Sequence, residues 1–185
     1  VYELLNEKFI IENLSGGNGT IGTHAVAKSA PDGKTLLFTA DVHSMARLVI
    51  KNVPYDPLTD FVAIARVAET PLIFIANPAQ IRARNLAELA TDIKANPKRF
   101  SFAIAGLGSA PHLAAEVFRT RVNVDILVVS YRGTSPAVND VVSGQVNMMA
   151  VPPLVAMQLV RGGKLRALAV TASRRFEGAP EVPTT

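Results

Sequence analysis

The sequence predicts an α/β protein built on mostly parallel sheet with helices on both faces. Three observations predict it. Short runs rich in Val, Ile, Leu and Phe alternate with segments of helical periodicity. The joints between them carry Gly, Ser and Thr, and several predicted helices open on a capping residue followed by Pro or Glu. Of the 185 residues, 49% are hydrophobic and 18% charged, so the chain buries a sizeable core in one large domain or two small lobes.

The elements follow in order. The chain opens at Val1 inside a segment that reads as helix and stops soon after Pro183, so both ends read as cut. Phe9 to Leu14 reads as a strand, followed by the Gly-rich stretch Ser15 to Gly22 and a helix from about Thr20 to Ala30. Pro31-Asp32-Gly33-Lys34 is a turn, because Pro presets φ and Gly accepts positive φ. Thr35 to Ala40 is a second strand. Asn52 to Asp60, with Pro54 and Pro57, is irregular surface chain. Phe61 to Ala68 and Leu72 to Ala76 have strand composition. Asn85 and Glu88 have capping-box spacing ahead of a helix with Leu86, Leu89, Ala90 and Ile93 inward. Phe100 to Ala105 is a strand leading through Gly106-Leu107-Gly108 to Ser109 as N-cap, with Pro111 in the first helical turn. Asp125 to Tyr131 is a strand, and Gly133-Thr134-Ser135-Pro136 reads as a hydroxyl cap followed by Pro. Val146 to Val151, a helix from Pro153 to Arg161, and the strand Leu165 to Thr171 complete the series. Leu72 to Pro78 and Leu165 to Thr171 read as crossings, giving an incomplete first lobe at 1–78, a second at 79–168 and a return segment at 169–185.

Composition excludes several classes. The formal charge is +4, but the basic residues are scattered, without the stripe and interleaved aromatics of a nucleic-acid binder. Zero cysteines remove disulfides, thiol catalysis and Cys–zinc sites. No run approaches the ~20 apolar residues of a membrane span, and no signal peptide is visible.

Three places invite function. Gly17 to Gly22 matches G-x-G-x-x-G with Asp41 after the next predicted strand, as in a dinucleotide site. Four residues intervene before the first motif glycine, however, and a structural turn is the better reading. The turns Ala105 to His112 and Arg132 to Pro136 follow strands, where amide groups at helix starts hold anions. His43 with Asp41 and Ser44 has triad composition without the convergence a triad needs, and no Gly-x-Ser-x-Gly elbow exists. His24, His43 and His112 lack metal-ligand spacing.

Glu12-Asn13, Ser15 to Thr23, Ala30 to Leu37, Pro54 to Pro57 with Asp60-Phe61, Gly106 to Ser109 with His112-Leu113, Tyr131 to Ala137, Gly144 to Val146 and Gly163 to Thr171 occur in an order that resembles the Bug family. These are the substrate-binding proteins of tripartite tricarboxylate transporters. The resemblance implies a two-lobed, type II periplasmic-binding fold whose cleft closes on a ligand carboxylate, with no catalysis, cofactor or metal. It implies ligand contacts at Ala40, Asp41, His43 and Ser44, at Gly106, Gly108, Ser109 and His112, at Gly133, Thr134 and Ser135, and at Val151. The family's first Gly-rich grip would precede Val1, and its return to the first lobe would follow Thr185. Where many members carry Phe-Asp, this chain has Ala150-Val151, which disfavours a ligand ammonium group and favours a mono- or dicarboxylate or an aromatic acid. The implied partners are a small carboxylate and membrane transporter subunits in the periplasm, with no nucleic acid and no direct membrane insertion. The alternatives are a ligand-sensing domain of a transcription regulator, or a nucleotide-dependent enzyme using Gly17 to Gly22 and Asp41.

Overall fold

The structure is a computed structural model that describes residues 8–185. The opening segment read as helix lies outside the described residues. Contacts divide the chain into two compact units, one running to Ala63 and the other spanning Ile64–Thr185.

Among the described residues, the first unit contains two short α-helices, α1 (Thr20–Ala27) and α2 (Val42–Val49). The glycine stretch ahead of α1 folds onto itself: Gly19 N–H donates to Gly16 O at 3.0 Å and Thr20 Oγ1 to Gly17 O at 2.7 Å. A Cβ at Gly22 would stand 3.2 Å from Leu14 O, so this glycine lets the incoming chain approach the helix. Helix α1 ends at Ala27 rather than Ala30, the Ser29 hydroxyl bonding back to Val26 O at 2.7 Å.

Three expected strands are corrected. Phe9–Leu14, Thr35–Ala40 and Phe61–Ala68 carry no strand pairing. Ile10, Phe38 and Val62 are 88, 83 and 89% exposed. Strand composition supplies a fit to a pleated surface, but a strand forms only where a partner takes its backbone groups, and no described segment does so here. The ligand contacts that the resemblance implies at Ala40 to Ser44 fall at the start of a helix rather than in a loop. Asp41 already has right-handed helical angles, with φ −50° and ψ −30°, and α2 begins at Val42. The dinucleotide reading loses its frame with these corrections, since Gly17 to Gly22 follow no strand and Asp41 precedes a helix.

The second unit is a five-stranded sheet: β1 (Ile73–Ala76), β2 (Ser101–Ile104), β3 (Leu127–Ser130), β4 (Met148–Val151) and β5 (Arg166–Val170), in the order β3-β2-β4-β1-β5. β2 pairs parallel with β3 and β4, while β1 pairs antiparallel with β4 and β5. Four strands therefore share one direction and β1 alone is reversed, which makes the sheet mostly parallel. Leu72 to Pro78, expected at a crossing between lobes, includes this reversed strand.

Helices α3 (Leu86–Ala95), α4 (Ala110–Val122), α5 (Thr134–Ser143) and α6 (Pro153–Arg161) cover the sheet. The period-2 alternation of the strands decides which side each helix takes. Phe74, Phe102, Ile104, Met148 and Leu168 pack with Leu89 and Ile93 of α3 and Phe118 of α4. Ile73, Ile75, Ala103, Met149 and Val151 pack with Val138 and Val141 of α5 and Met157 of α6. The strands covered on both faces are apolar throughout, as in Ile73-Phe74-Ile75-Ala76, whose four residues are all buried.

At the edge where β2 and β4 begin, polar side chains close the sheet. Asn147 Oδ1 accepts from Ser101 N at 2.7 Å and Ser101 Oγ at 2.9 Å, and Asn147 Nδ2 donates to Gln80 Oε1 at 2.8 Å. Buried Asn77 donates to Val141 O at 2.9 Å and accepts from Ala79 N–H at 2.9 Å, so its burial leaves no polar group orphaned there.

Candidate ligand-binding edge

Because β2, β3 and β4 run in parallel side by side, their carboxyl ends meet at one edge of the sheet. The turns 105–109 and 131–133 and the joint at Pro152 all leave from it, each opening a helix. α4 packs on one face, and α5 and α6 on the other. Chain departing to opposite faces from neighbouring strands opens a crevice at the strand ends, and helix starts there present N–H groups and a positive dipole end.

The turn after β2 is built by two glycines and two side chains. Gly106 and Gly108 have φ of 109° and 76°, left-handed values that favour glycine. Ser109 is the N-cap of α4 as expected: its Oγ accepts from His112 N–H at 3.4 Å, and it donates to Gly106 O at 2.7 Å. His112 Nδ1 accepts from Gly108 N–H at 2.9 Å. The imidazole Nε2 lies 3.7 Å from Glu116 Oε1, and Glu116 also pairs with Arg119 at 2.9 Å. Glu116 was not anticipated, although its i+4 spacing from His112 on a helix is the signal that reveals it.

The turn after β3 is tied to the first by backbone, Tyr131 N–H donating to Ile104 O at 2.9 Å. Here the expected hydroxyl cap is corrected. Gly133, with φ 118° and ψ 174°, is the N-cap of α5, no side chain caps it, and Thr134, Ser135 and Pro136 are the first three helical residues. The turn reaches helical geometry two residues earlier than a hydroxyl cap with Pro136 at the first helical position requires. A Cβ at Gly133 would meet nothing within 4 Å, so its glycine answers to backbone angle and the space beside it is open. Thr134 is half-buried and Ser135 exposed. Val151 is fully buried at the end of β4 and belongs to the apolar core beneath the edge.

Tyr131 fixes the outer wall by donating from its hydroxyl to Asp140 Oδ2 at 2.7 Å. Its phenol is pushed up to about 12, first by desolvation and then by the hydrogen bond and charge of Asp140. Sequence reading missed this pair.

The remaining expected residues lie in the first unit. Ala40 and Asp41 are exposed and lead into α2, where Ser44 Oγ donates to Asp41 O at 2.8 Å. His43 stacks on Tyr55 at 6.0 Å and meets Phe61 edge-on at 4.9 Å. Its Nδ1 is buried without a hydrogen-bond partner. The Ser44 hydroxyl therefore serves a backbone carbonyl rather than the imidazole, and no nucleophile–base pair is assembled among these three. Among the described residues, no three His, Asp or Glu side chains are grouped to hold a metal ion. No helix of the described residues is long and apolar enough to cross a membrane.

Helix starts gathered at the carboxyl edge of an α/β sheet suit a small ligand, and the comparisons with known proteins give the family. The sequence model described as "Tripartite tricarboxylate transporter family receptor" matches residues 1–185. The chain belongs to this family, the Bug-type receptors of tripartite tricarboxylate transporters. It is 38% identical over 182 residues to the "UPF0065 protein in tcbD-tcbE intergenic region" of Pseudomonas sp. (strain P51), covering 98% of this chain and 54% of that protein. Among solved structures, the periplasmic binding protein BugD superposes with a TM-score of 0.82 at 36% identity, covering 99% of this chain and 61% of that one. R. palustris Rpa4515 with adipate superposes at 0.84 with 31% identity, again covering 99% and 61%. MatC (Rpa3494) from Rhodopseudomonas palustris with bound malate superposes at 0.77 with 29% identity, covering 99% and 62%. The chain spans about half the length of the curated relatives it matches.

Proposed function

We propose that the whole protein captures a small carboxylate outside the cytoplasm and presents it to a tripartite tricarboxylate-type membrane transporter, without catalysis. One observation carries the reading: three parallel strands deliver three helix starts to one edge, and the uncapped start of α5 adjoins open space at Gly133. Helix-start amides favour an anion there without a fixed cation, so the ligand is held by hydrogen bonds it can leave. The adipate and malate bound by two structural neighbours support a carboxylate as the ligand class. Gly106, Gly108, Ser109, Gly133, Thr134 and Ser135 form the proposed anion wall, with Val151 as apolar floor in place of an acid. That floor favours ligands without an ammonium group. Ala40, Asp41, His43 and Ser44 are proposed as further ligand contacts, and 1–78, 79–168 and 169–185 as an incomplete first lobe, a second lobe and the start of a return segment.

Calorimetric titration of the whole protein with adipate, malate and their neutral amides tests this. Binding of an acid with loss of affinity for its amide is expected. Equal affinity for acid and amide, or heat from neither acid, would refute the proposal.

A further inference from the structure

We infer that His112 is a positioning residue for this edge: its Nδ1 holds the Gly108 amide and so keeps the glycine turn in the shape that receives a carboxylate. The inference rests on the binding reading above and assigns His112 a role through the backbone rather than a ligand contact.

Gly108 is buried, and its N–H precedes the N-cap of α4, outside the helical ladder. The imidazole lone pair at 2.9 Å is the acceptor that satisfies it. The turn has little stiffness of its own, because Gly106 and Gly108 both occupy left-handed backbone that glycine enters and leaves freely. Side chains fix it from both ends. Ser109 Oγ pins the Gly106 carbonyl at 2.7 Å, and His112 pins the Gly108 amide. Ser109 is the N-cap of α4 and His112 lies in its first turn, so the turn is referred to a rigid helix.

Accepting at Nδ1 places the ring proton on Nε2, the nitrogen facing Glu116 at 3.7 Å. Glu116 is engaged by Arg119 at 2.9 Å, and Arg119 reaches Asp125 at 2.7 Å. The strands against which α4 packs, β2 and β4, carry no charged residue. The brace depends on this tautomer, because a proton on Nδ1 would face another N–H.

The test compares wild type, His112→Ala and His112→Asn in the whole protein. Asn places Oδ1 at the branch position of Nδ1, accepts an N–H and does not titrate. Adipate affinity is read by calorimetry, and the His112 ring and the Gly108 amide by nitrogen-15 NMR without ligand. At about pH 8, His112→Ala is expected to weaken adipate roughly tenfold, while His112→Asn stays within about threefold of wild type. Ligand-free spectra show Nδ1 without a proton and a slowly exchanging Gly108 amide in wild type, and a fast-exchanging one in His112→Ala. Equal losses in the Ala and Asn variants, or a proton on Nδ1 at about pH 8, would overturn the inference. Failure of wild type to bind adipate, with these spectra as expected, would overturn the binding reading while upholding the brace.

Discussion

The Tyr131 hydroxyl donates to Asp140 Oδ2 at 2.7 Å, which joins the residue just past β3 to the middle of α5. The uncapped start of α5 is thereby anchored by a bond beyond its first turn. Burial first, then the carboxylate, pushes the phenol up to about 12. A raised pKa means the folded state binds the proton more tightly than an unfolded tyrosine, which ionises near about 10. The stabilisation is complete below about pH 10 and is lost as pH rises through about 12. Ultraviolet titration should therefore show a phenol ionising at about 12, and Tyr131→Phe should remove it. A Tyr131 that ionises near about 10 would contradict this pairing.

Asn147 should be the costliest polar residue at the opposite edge. It accepts twice from Ser101 and donates to Gln80, so Asn147→Ala strands a backbone N–H at the head of β2. A loss of about 1–3 kcal/mol in urea unfolding is expected, against a few tenths for an exposed Asn. A loss within the exposed range would show that water replaces the side chain.

At Asn85 the cap forms as expected, but the return bond from Glu88 reaches one residue further back than in a capping box. Asn85 Oδ1 accepts from Glu88 N–H at 2.9 Å, and Glu88 Oε2 accepts from Arg84 N–H at 2.8 Å. Asn85→Ala should cost about 1 kcal/mol and Asn85→Ser much less, measured by the same unfolding.

In the first unit, the turn at Asp56 should loosen in acid. The Leu58 N–H first, then Arg47 and the Thr59 N–H, hold the Asp56 carboxyl below its usual value against the opposing effect of burial. A lowered pKa stabilises the fold above the unfolded value of 3.8, and that stabilisation is lost as pH falls through the folded one. Amide exchange at Leu58 and Thr59 should accelerate in that window in wild type. Asp56→Asn should leave little pH dependence, and persistence of the full dependence would assign it to Asp60 instead.

Legibility in the sequence followed the range of the forces involved. Asn85, Ser109 and the bounds of α6 were readable because caps and helix periods act within a few residues. The strands of the second unit were readable because burial on both faces makes them continuously apolar. Phe9–Leu14 and Thr35–Ala40 have equally strand-like composition, yet pairing depends on a distant partner that composition cannot register. Helix α2 escaped notice because Asp41 enters it through its backbone and leaves no side-chain cap. At the candidate edge, the glycines and Ser109 were visible as turn chemistry. That His112 turns back onto Gly108, and that Gly133 rather than a hydroxyl residue caps α5, depend on rotamers and φ values that spacing does not encode.

The reversed strand β1 also sets a schedule for synthesis. Ile73 takes its partners from Val151 and Val170, far later in the chain. On the ribosome, an Ile-Phe-Ile-Ala segment destined for complete enclosure leaves the exit tunnel early and waits, with both faces wet, until β4 follows. Parallel pairing among β2, β3 and β4 can start without it, but the middle of the sheet stays open until then. Nascent chains halted before Met148 should therefore be more prone to clump and more dependent on holding chaperones than chains released after Val170.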